Sequence, residues 1–286
     1  MFKRAFTMIE LIFVIVVMGI LGKFGTEFLM QAYENFFYSN MANRLQKQSE
    51  AAVTQIAARL QYRIKGSIVV QSTSDTNLTW VGMDIEGWRG EWNSTVNRNL
   101  PTWSGFINLD TSFIPNANLL SSPKTDTSKA GAIINALSYT PVSNLNDSAI
   151  IFIGATDPTN SIWDSPGVAV TDQLNELAHP IQSLGNNFQP LVGTGSFLGV
   201  DVYEFYKLAW TAYTVSLVGT NLILYYNYQP WQGENFNLSG INNEILMENV
   251  VDFQYQTIGD LIKIKVCVNS NLVDGNYSIC KEKTVF

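Results

Sequence analysis

Histidine is almost missing from this chain: His179 stands alone, beside two cysteines, Cys267 and Cys280, in 286 residues. No clustered Cys/His metal site can be built from that inventory. A Ser/His/Asp or Cys/His nucleophile system would have to use His179, and "ELAHPIQ" offers no motif around it, so it reads as a loop histidine. Charge is scarce too, at 14% of residues against 46% hydrophobic, which excludes general disorder and allows a sizeable core. The net charge is -7 and the pI is near 4.8, with the surplus acid beyond residue 65. An acidic body argues against a protein that holds nucleic acid through its phosphates, and no nucleic-acid partner is expected. "GTGSFLG", residues 193–199, lacks the Lys-Ser/Thr of a phosphate loop and the spacing for dinucleotides; it reads as a turn, and no cofactor is expected. Carboxylate pairs such as Asp84/Glu86 could serve a glycosidase, but almost any surface offers such a pair.

The apolar residues are concentrated at the start. In "KRAFTMIELIFVIVVMGILG", residues 3–22, the run is unbroken from Leu11 to Leu21. With Phe6 to Ile9 it covers about 16 positions, short of the roughly 20 that span hydrocarbon, and a helix continuing through Phe24, Phe28, Leu29 and Met30 would complete the span. Lys3 and Arg4 favour a cytoplasmic N-terminus with the body on the far side. A cleaved secretory signal should end in an A-x-A-like site, and Leu21-Gly22-Lys23-Phe24-Gly25 matches that poorly. Glu10 is out of place in either kind of segment, because an intramembrane carboxylate costs about 2.5–3.5 kcal/mol on insertion scales and usually has a partner.

This stretch resembles the processing motif of type IV prepilins and type II secretion pseudopilins: a short basic leader, a small residue, then Phe-Thr-Met-Ile-Glu and an apolar helix. The resemblance covers about 20 of the 286 residues. It implies that a prepilin peptidase cuts between Ala5 and Phe6 and methylates the new amino group of Phe6. Glu10 then becomes the fifth mature residue, whose carboxylate in this family meets the N-terminal amine of a neighbouring subunit. Ala5 stands where the family prefers Gly, and no Pro lies in the following helix; Gly19, Gly22 and Gly25 are the candidates for loosening it. The implied partners are other pilin or pseudopilin subunits, the peptidase, the inner-membrane assembly platform and membrane lipid. The implied location is the bacterial inner membrane, with the head in the periplasm and later on a fibre or the cell surface. The implied role is a structural subunit without catalytic activity. A membrane-anchored periplasmic binding protein or enzyme is the alternative, and processing after Ala5 separates the two.

Helical periodicity persists beyond the anchor. Met41, Leu45, Ala52, Ile56, Leu60 and Ile64 form one apolar stripe, with Arg44, Lys47, Glu50, Arg59 and Arg63 on other faces, until Gly66 ends the pattern. This predicts an α+β chain of three parts: a leader over 1–5, one helix over 6–65 that is transmembrane to about residue 30 and amphipathic after it, and a β-rich head over 66–286. The stripe must pack on that head, as in a pilin, where a long N-terminal helix lies against an antiparallel sheet; an amphipathic stalk is the other reading. Ile68–Gln71, Thr79–Met83, Ala149–Ile153, Val202–Tyr206 and Leu222–Tyr226 are β-branched and aromatic runs that read as strands. "YTVSLVGTNLILYYNY" predicts a hairpin around Gly219–Asn221, and "LIKIKVCV" a half-buried strand. The stretch from Ser72 to Asp147, with Trp80, Trp88, Trp92 and Trp103, reads as ordered loops or short strands decorating the head.

"MENVVDFQYQTIGDLIKIKVCV", residues 247–268, is similar to the closing segment of large minor pilins of the W type and of J-type pseudopilins. Bridged loops near the C-terminus are widespread in that family, which implies a Cys267–Cys280 disulfide. The helix orientation places both in an oxidising compartment, where closing that loop is worth about 3 kcal/mol; two buried free thiols are the other reading. Tyr225, Tyr226, Tyr228 and Trp231 read as core and hairpin packing ahead of a binding platform. Asn77-Leu-Thr, Asn93-Ser-Thr and Asn276-Tyr-Ser are N-glycosylation acceptors in form. Each has an acid two places earlier (Asp75, Glu91, Asp274), a pattern that resembles the acceptor of bacterial N-glycosylation systems.

Overall fold

In the computed structural model, residues 7–68, 77–112, 118–139, 142–155, 168–174, 176–270 and 278–286 are described. The chain begins with α1 (Met8–Leu60), followed by β1 (Asn77–Gly82), α2 (Ile85–Arg89), the short strands β2 (Glu91–Asn93) and β3 (Arg98–Leu100), α3 (Leu109–Ser112) and α4 (Thr127–Leu137). Next come β4 (Ala149–Phe152), β5 (His179–Leu184), β6 (Asn187–Pro190), β7 (Tyr206–Ala209), β8 (Thr211–Val218) and β9 (Asn221–Tyr228). The chain closes with β10 (Asn242–Met247), β11 (Val250–Ile258), β12 (Leu261–Asn269) and β13 (Ser278–Val285). The class is α+β, with a long apolar N-terminal helix and antiparallel sheets.

The sheets are β1-β8-β9-β10, β6-β5-β4-β7 and β11-β12-β13, with β2-β3 as a separate ribbon. The hairpin turns where the sequence predicted, because Gly219 supplies a positive φ of 63° between paired Val218 and Asn221. In β12 the alternation also holds: Ile262, Ile264, Val266 and Val268 are fully buried, while Lys263 is exposed. The stripe on α1 explains how these sheets are held. Leu45, Ser49, Ala52, Val53, Ile56, Ala57 and Leu60 are buried, and the apolar ones share one core with Leu78, Trp80 and Leu224 of the first sheet and Phe253, Ile264 and Val285 of the third. Each fully buried Leu or Ile there contributes about 1.5–3 kcal/mol. A second core packs Ala130 and Ile134 of α4 against Ile150, Ile181, Phe188 and Leu208 of the other four-stranded sheet.

Several expectations change. The helix ends at Leu60 rather than at Lys65, because Arg63 bridges to Gly82 and the Ile64 amide donates to the Val81 carbonyl at 2.9 Å, so the chain has already joined β1. Gly66, at φ 80°, turns the following loop instead of closing the helix. The stretch from Ser72 to Asp147 is more than decoration: it supplies β1, the 11-residue α4 and the buried Trp80 and Trp103. Of the run Val202–Tyr206, only Tyr206 enters a strand, and Val69–Gln71 lie outside the described residues. Tyr228 and Trp231 are buried, as expected of packing residues.

Arg63 is 5% exposed and joins three segments. Its Nη1 donates to the Leu60 carbonyl at 2.8 Å and the Phe286 main-chain oxygen at 3.4 Å, and its Nη2 donates to the Asp260 carbonyl. A cation at a helix C-terminus also meets the negative end of the dipole. Arg63→Met should leave these acceptors without their donor and lower head stability by about 2–3 kcal/mol. Urea unfolding of the full chain in detergent, followed by tryptophan fluorescence, measures this; an unchanged midpoint would show that the joint is held by packing alone.

Candidate functional site

The amino end of α1 is built from Thr7 and Glu10. Thr7 stands at the N-cap and Glu10 three residues into the helix, so the carboxylate folds back: Oε2 accepts from the Thr7 amide at 3.1 Å and the Thr7 hydroxyl at 2.9 Å. This is one half of a capping box, and it satisfies a donor that a helix start otherwise leaves open. Glu10 therefore has a hydrogen-bonding partner within its own chain. Ala5 and Phe6 lie outside the described residues.

From Met8 to Asn40 the side chains are exposed except for Val17, which is half-buried, and the first buried one is Leu45. This bare part is about 50 Å long at 1.5 Å per residue, and its apolar portion is long enough to cross a membrane. The helix runs unbroken through Gly19, Gly22 and Gly25. At the opposite end of the sequence Cys267 and Cys280 form a disulfide directly across β12 and β13. Cys267 is buried and Cys280 exposed, and the bridge ties edge strand β13 to the sheet; Val285, near the end of that strand, enters the core with α1.

On the face of the first sheet, beside α1, lies an open groove of about 460 Å3 lined by Arg59, Met83, Tyr213, Tyr226, Glu244 and Ile245, among others. Asp84 borders it at 1% exposure. Its Oδ1 accepts from the Gly87 amide at 3.1 Å, capping α2, and its Oδ2 accepts from the Trp103 indole at 3.0 Å. Burial, the larger effect, raises its pKa to about 6 against the opposing pull of those bonds. Glu86, the other member of the carboxylate pair, instead faces Arg89 at 2.8 Å on the surface. Among the described residues no group of three or more His, Cys, Asp and Glu side chains is arranged to hold a metal ion.

His179 is not in a loop. It opens β5 at 2% exposure, ringed by Phe152 and Phe197, and its Nδ1–H donates to Gln173 Oε1 at 3.1 Å. That tautomer follows from Gln173, whose amide nitrogen already donates to the Pro180 carbonyl and Thr194 Oγ1. Burial lowers the imidazole pKa to about 4. Asn77 begins β1 with its Oδ1 accepting from Ser216 Oγ at 2.6 Å. Asn93 ends β2 on the ribbon, and Asn276 lies outside the described residues. Sequence reasoning missed Thr7, for which Thr-x-x-Glu ahead of an apolar run was the signal, and it read Asp84 as a surface carboxylate where the structure buries it.

Compared with family models, curated proteins and solved structures, the chain matches none of them.

The two buried titrating groups oppose each other. Unfolded His179 takes its proton near pH 6.5 and the native imidazole only near 4, so acidification through that window destabilises the native state, by about 3 kcal/mol at pH 4. Asp84 takes its proton near pH 6 when native and near 3.8 when unfolded, so the same acidification favours the native state by a similar amount. Asp84→Asn should therefore steepen the loss of stability from pH 6.5 to 4.5, and His179→Gln should convert it to a gain. Urea midpoints at stepped pH test this; identical slopes in all three proteins would refute the assignment.

Proposed function

We propose that this chain is a minor pilin or pseudopilin, a structural subunit of a type IV pilus or type II secretion pseudopilus. In this reading prepilin peptidase cuts after Ala5 and methylates Phe6, the bare half of α1 sits in the inner membrane, and the head faces the periplasm. The observation that supports it most is the division of one continuous helix: 53 residues, with the first part apolar and uncovered and one face of the last four turns buried against the head. A plain anchor has no need to continue as the central element of the domain it carries. A disulfide in the head fits an oxidising compartment.

The groove beside α1 favours the second reading, a membrane-anchored periplasmic binding protein, because aromatic and charged side chains share an open concavity there. Processing separates the two. Intact mass of membrane-extracted protein should begin at N-methylated Phe6, with loss of Lys3 and Arg4 taking the formal charge from -7 to -9 (-7 - 2). A mass starting at Met1, or after Leu21, would remove the filament reading.

Glu10 can be tested more finely because of its bond to Thr7. Gln also serves at the third helical position of a capping box, so Glu10→Gln keeps the helix start and removes the negative charge, while Glu10→Val removes both. Both variants should insert, be cut after Ala5 and form the disulfide, yet be depleted from sheared filaments relative to membranes. If Glu10→Gln enters filaments as well as the wild type, the carboxylate charge is not the assembly contact.

A further inference from the structure

Five Asn-x-Ser/Thr tripeptides occur in the chain, at Asn77, Asn93, Asn146, Asn237 and Asn276, and three carry an acid two residues earlier. Acids occupy 24 of 286 positions, so five such tripeptides should carry fewer than one by chance (5 × 24/286). That excess is the pattern expected of an acceptor read by a cationic pocket that pairs with the carboxylate. The structure then sorts the acceptors. Asn77 opens the edge strand of a four-stranded sheet, paired in register with Ser216, and its side-chain oxygen is tied to the Ser216 hydroxyl, so the strand would have to leave the sheet to be read. Ser148, the third residue of the Asn146 tripeptide, is fully buried.

Asn93 differs from both. Glu91, Trp92, Ser94, Thr95 and Val96 are exposed around it, on a ribbon whose strands have three residues each and pair only with one another. Its Oδ1 accepts from the Thr95 amide at 3.0 Å and the Val96 amide at 3.3 Å. Two backbone donors fix the amide plane, so the oxygen faces the turn and Nδ2, which makes no hydrogen bond among the described residues, is left on the open side. Among the described residues Glu91 pairs with Lys129 at 3.9 Å, with both side chains about half exposed, a pair that costs little to break.

We propose that Asn93 is a site of N-glycosylation, selected by Glu91. The donor is an oligosaccharide carried on a polyprenyl diphosphate, and the catalyst is a membrane oligosaccharyltransferase that pairs with the acid. Nδ2 forms a bond to the anomeric carbon, the bond from that carbon to the diphosphate oxygen breaks, the lipid diphosphate leaves with the electron pair, and the Nδ2 proton passes to a base of the transferase. Oxidation states do not change. The proposal rests on the reading that the head is exported, since that is where such a transfer meets a folded hairpin. The exposed Asn237, on a turn with Asn235 rather than an acid two residues earlier, is an internal control.

The test is peptide mapping by mass spectrometry of the full-length chain, expressed in a bacterium with and without such a transferase and its lipid-linked sugar. Thiol labelling of the denatured, unreduced protein is read alongside. The expected result is an oligosaccharide on the Asn93 peptide only when the transferase is present, abolished by Asn93→Gln, reduced severalfold by Glu91→Gln and absent from Asn237. Bare Asn93 in protein whose Cys267–Cys280 bridge is closed overturns the modification and leaves the export reading intact. Bare Asn93 with both thiols free overturns export and the modification with it. Equal occupancy at Asn237, or an unchanged level in Glu91→Gln, overturns selection by Glu91.

Discussion

The apolar stripe of α1 is the constraint on which this molecule depends. The first and third sheets share no ladder of hydrogen bonds, and their inner faces meet on one helix, through Leu45, Val53, Ile56 and Leu60. Neither sheet could bury its apolar face in the same way without that helix, since an open antiparallel sheet needs a second layer to cover it. Arg63 stands just beyond the stripe and caps the final turn while holding both the β11–β12 turn at Asp260 and the chain end at Phe286. Helix end, hairpin turn and C-terminus are therefore fixed together.

The same helix must suit two surroundings. Its second half trades water for side chains, and its first half, exposed along about 50 Å, presents Phe13, Ile15, Met18 and Phe24 to whatever surrounds it. Lipid is the solvent in which that face carries no penalty, but it penalises Glu10. The bonds from Thr7 offset part of this cost within a single chain. Any group that met the Glu10 carboxylate would gain only the difference between its own contact and the Thr7 bonds it displaced.

Periodicity made much of this legible. The stripe from Leu45 to Leu60, the β8–β9 hairpin and the alternation of β12 are signals of period 3.6 or 2 that tertiary context did not override. What escaped were features set by contacts distant in sequence. The helix stops at Leu60 because β1 captures residues 63 and 64, and no local breaker marks it. α4 was hidden in a polar stretch, although Asp126 caps it and Ala130 and Ile134 are one turn apart on its buried side. His179 reads as a loop residue because no motif surrounds it, and its burial depends on Phe152 and Phe197, which lie outside its local sequence. Of the candidate site, the Thr7–Glu10 motif was local and readable, whereas the burial of Asp84 required Trp103 and the fold around it.

Because α1 has no break between Met8 and Leu60, rotation of its bare half is also rotation of the head. The head begins at Leu45, and Lys23 and Glu27, 3.8 Å apart on adjacent turns, are the first charged pair after the apolar run. From Glu27 to Leu45 is about 27 Å of helix, bearing the exposed Tyr33, Phe36, Phe37 and Tyr38. Aromatic side chains of this kind favour the boundary between lipid and water. A continuous helix of that length leaves the head little freedom to turn independently, so a lateral contact on one face of the bare span would set which face of the head points the same way. A flexible linker would lose this coupling within a few residues. The unbroken passage through Gly19, Gly22 and Gly25 thus joins the end that carries Glu10 to the head through continuous hydrogen-bonded helix.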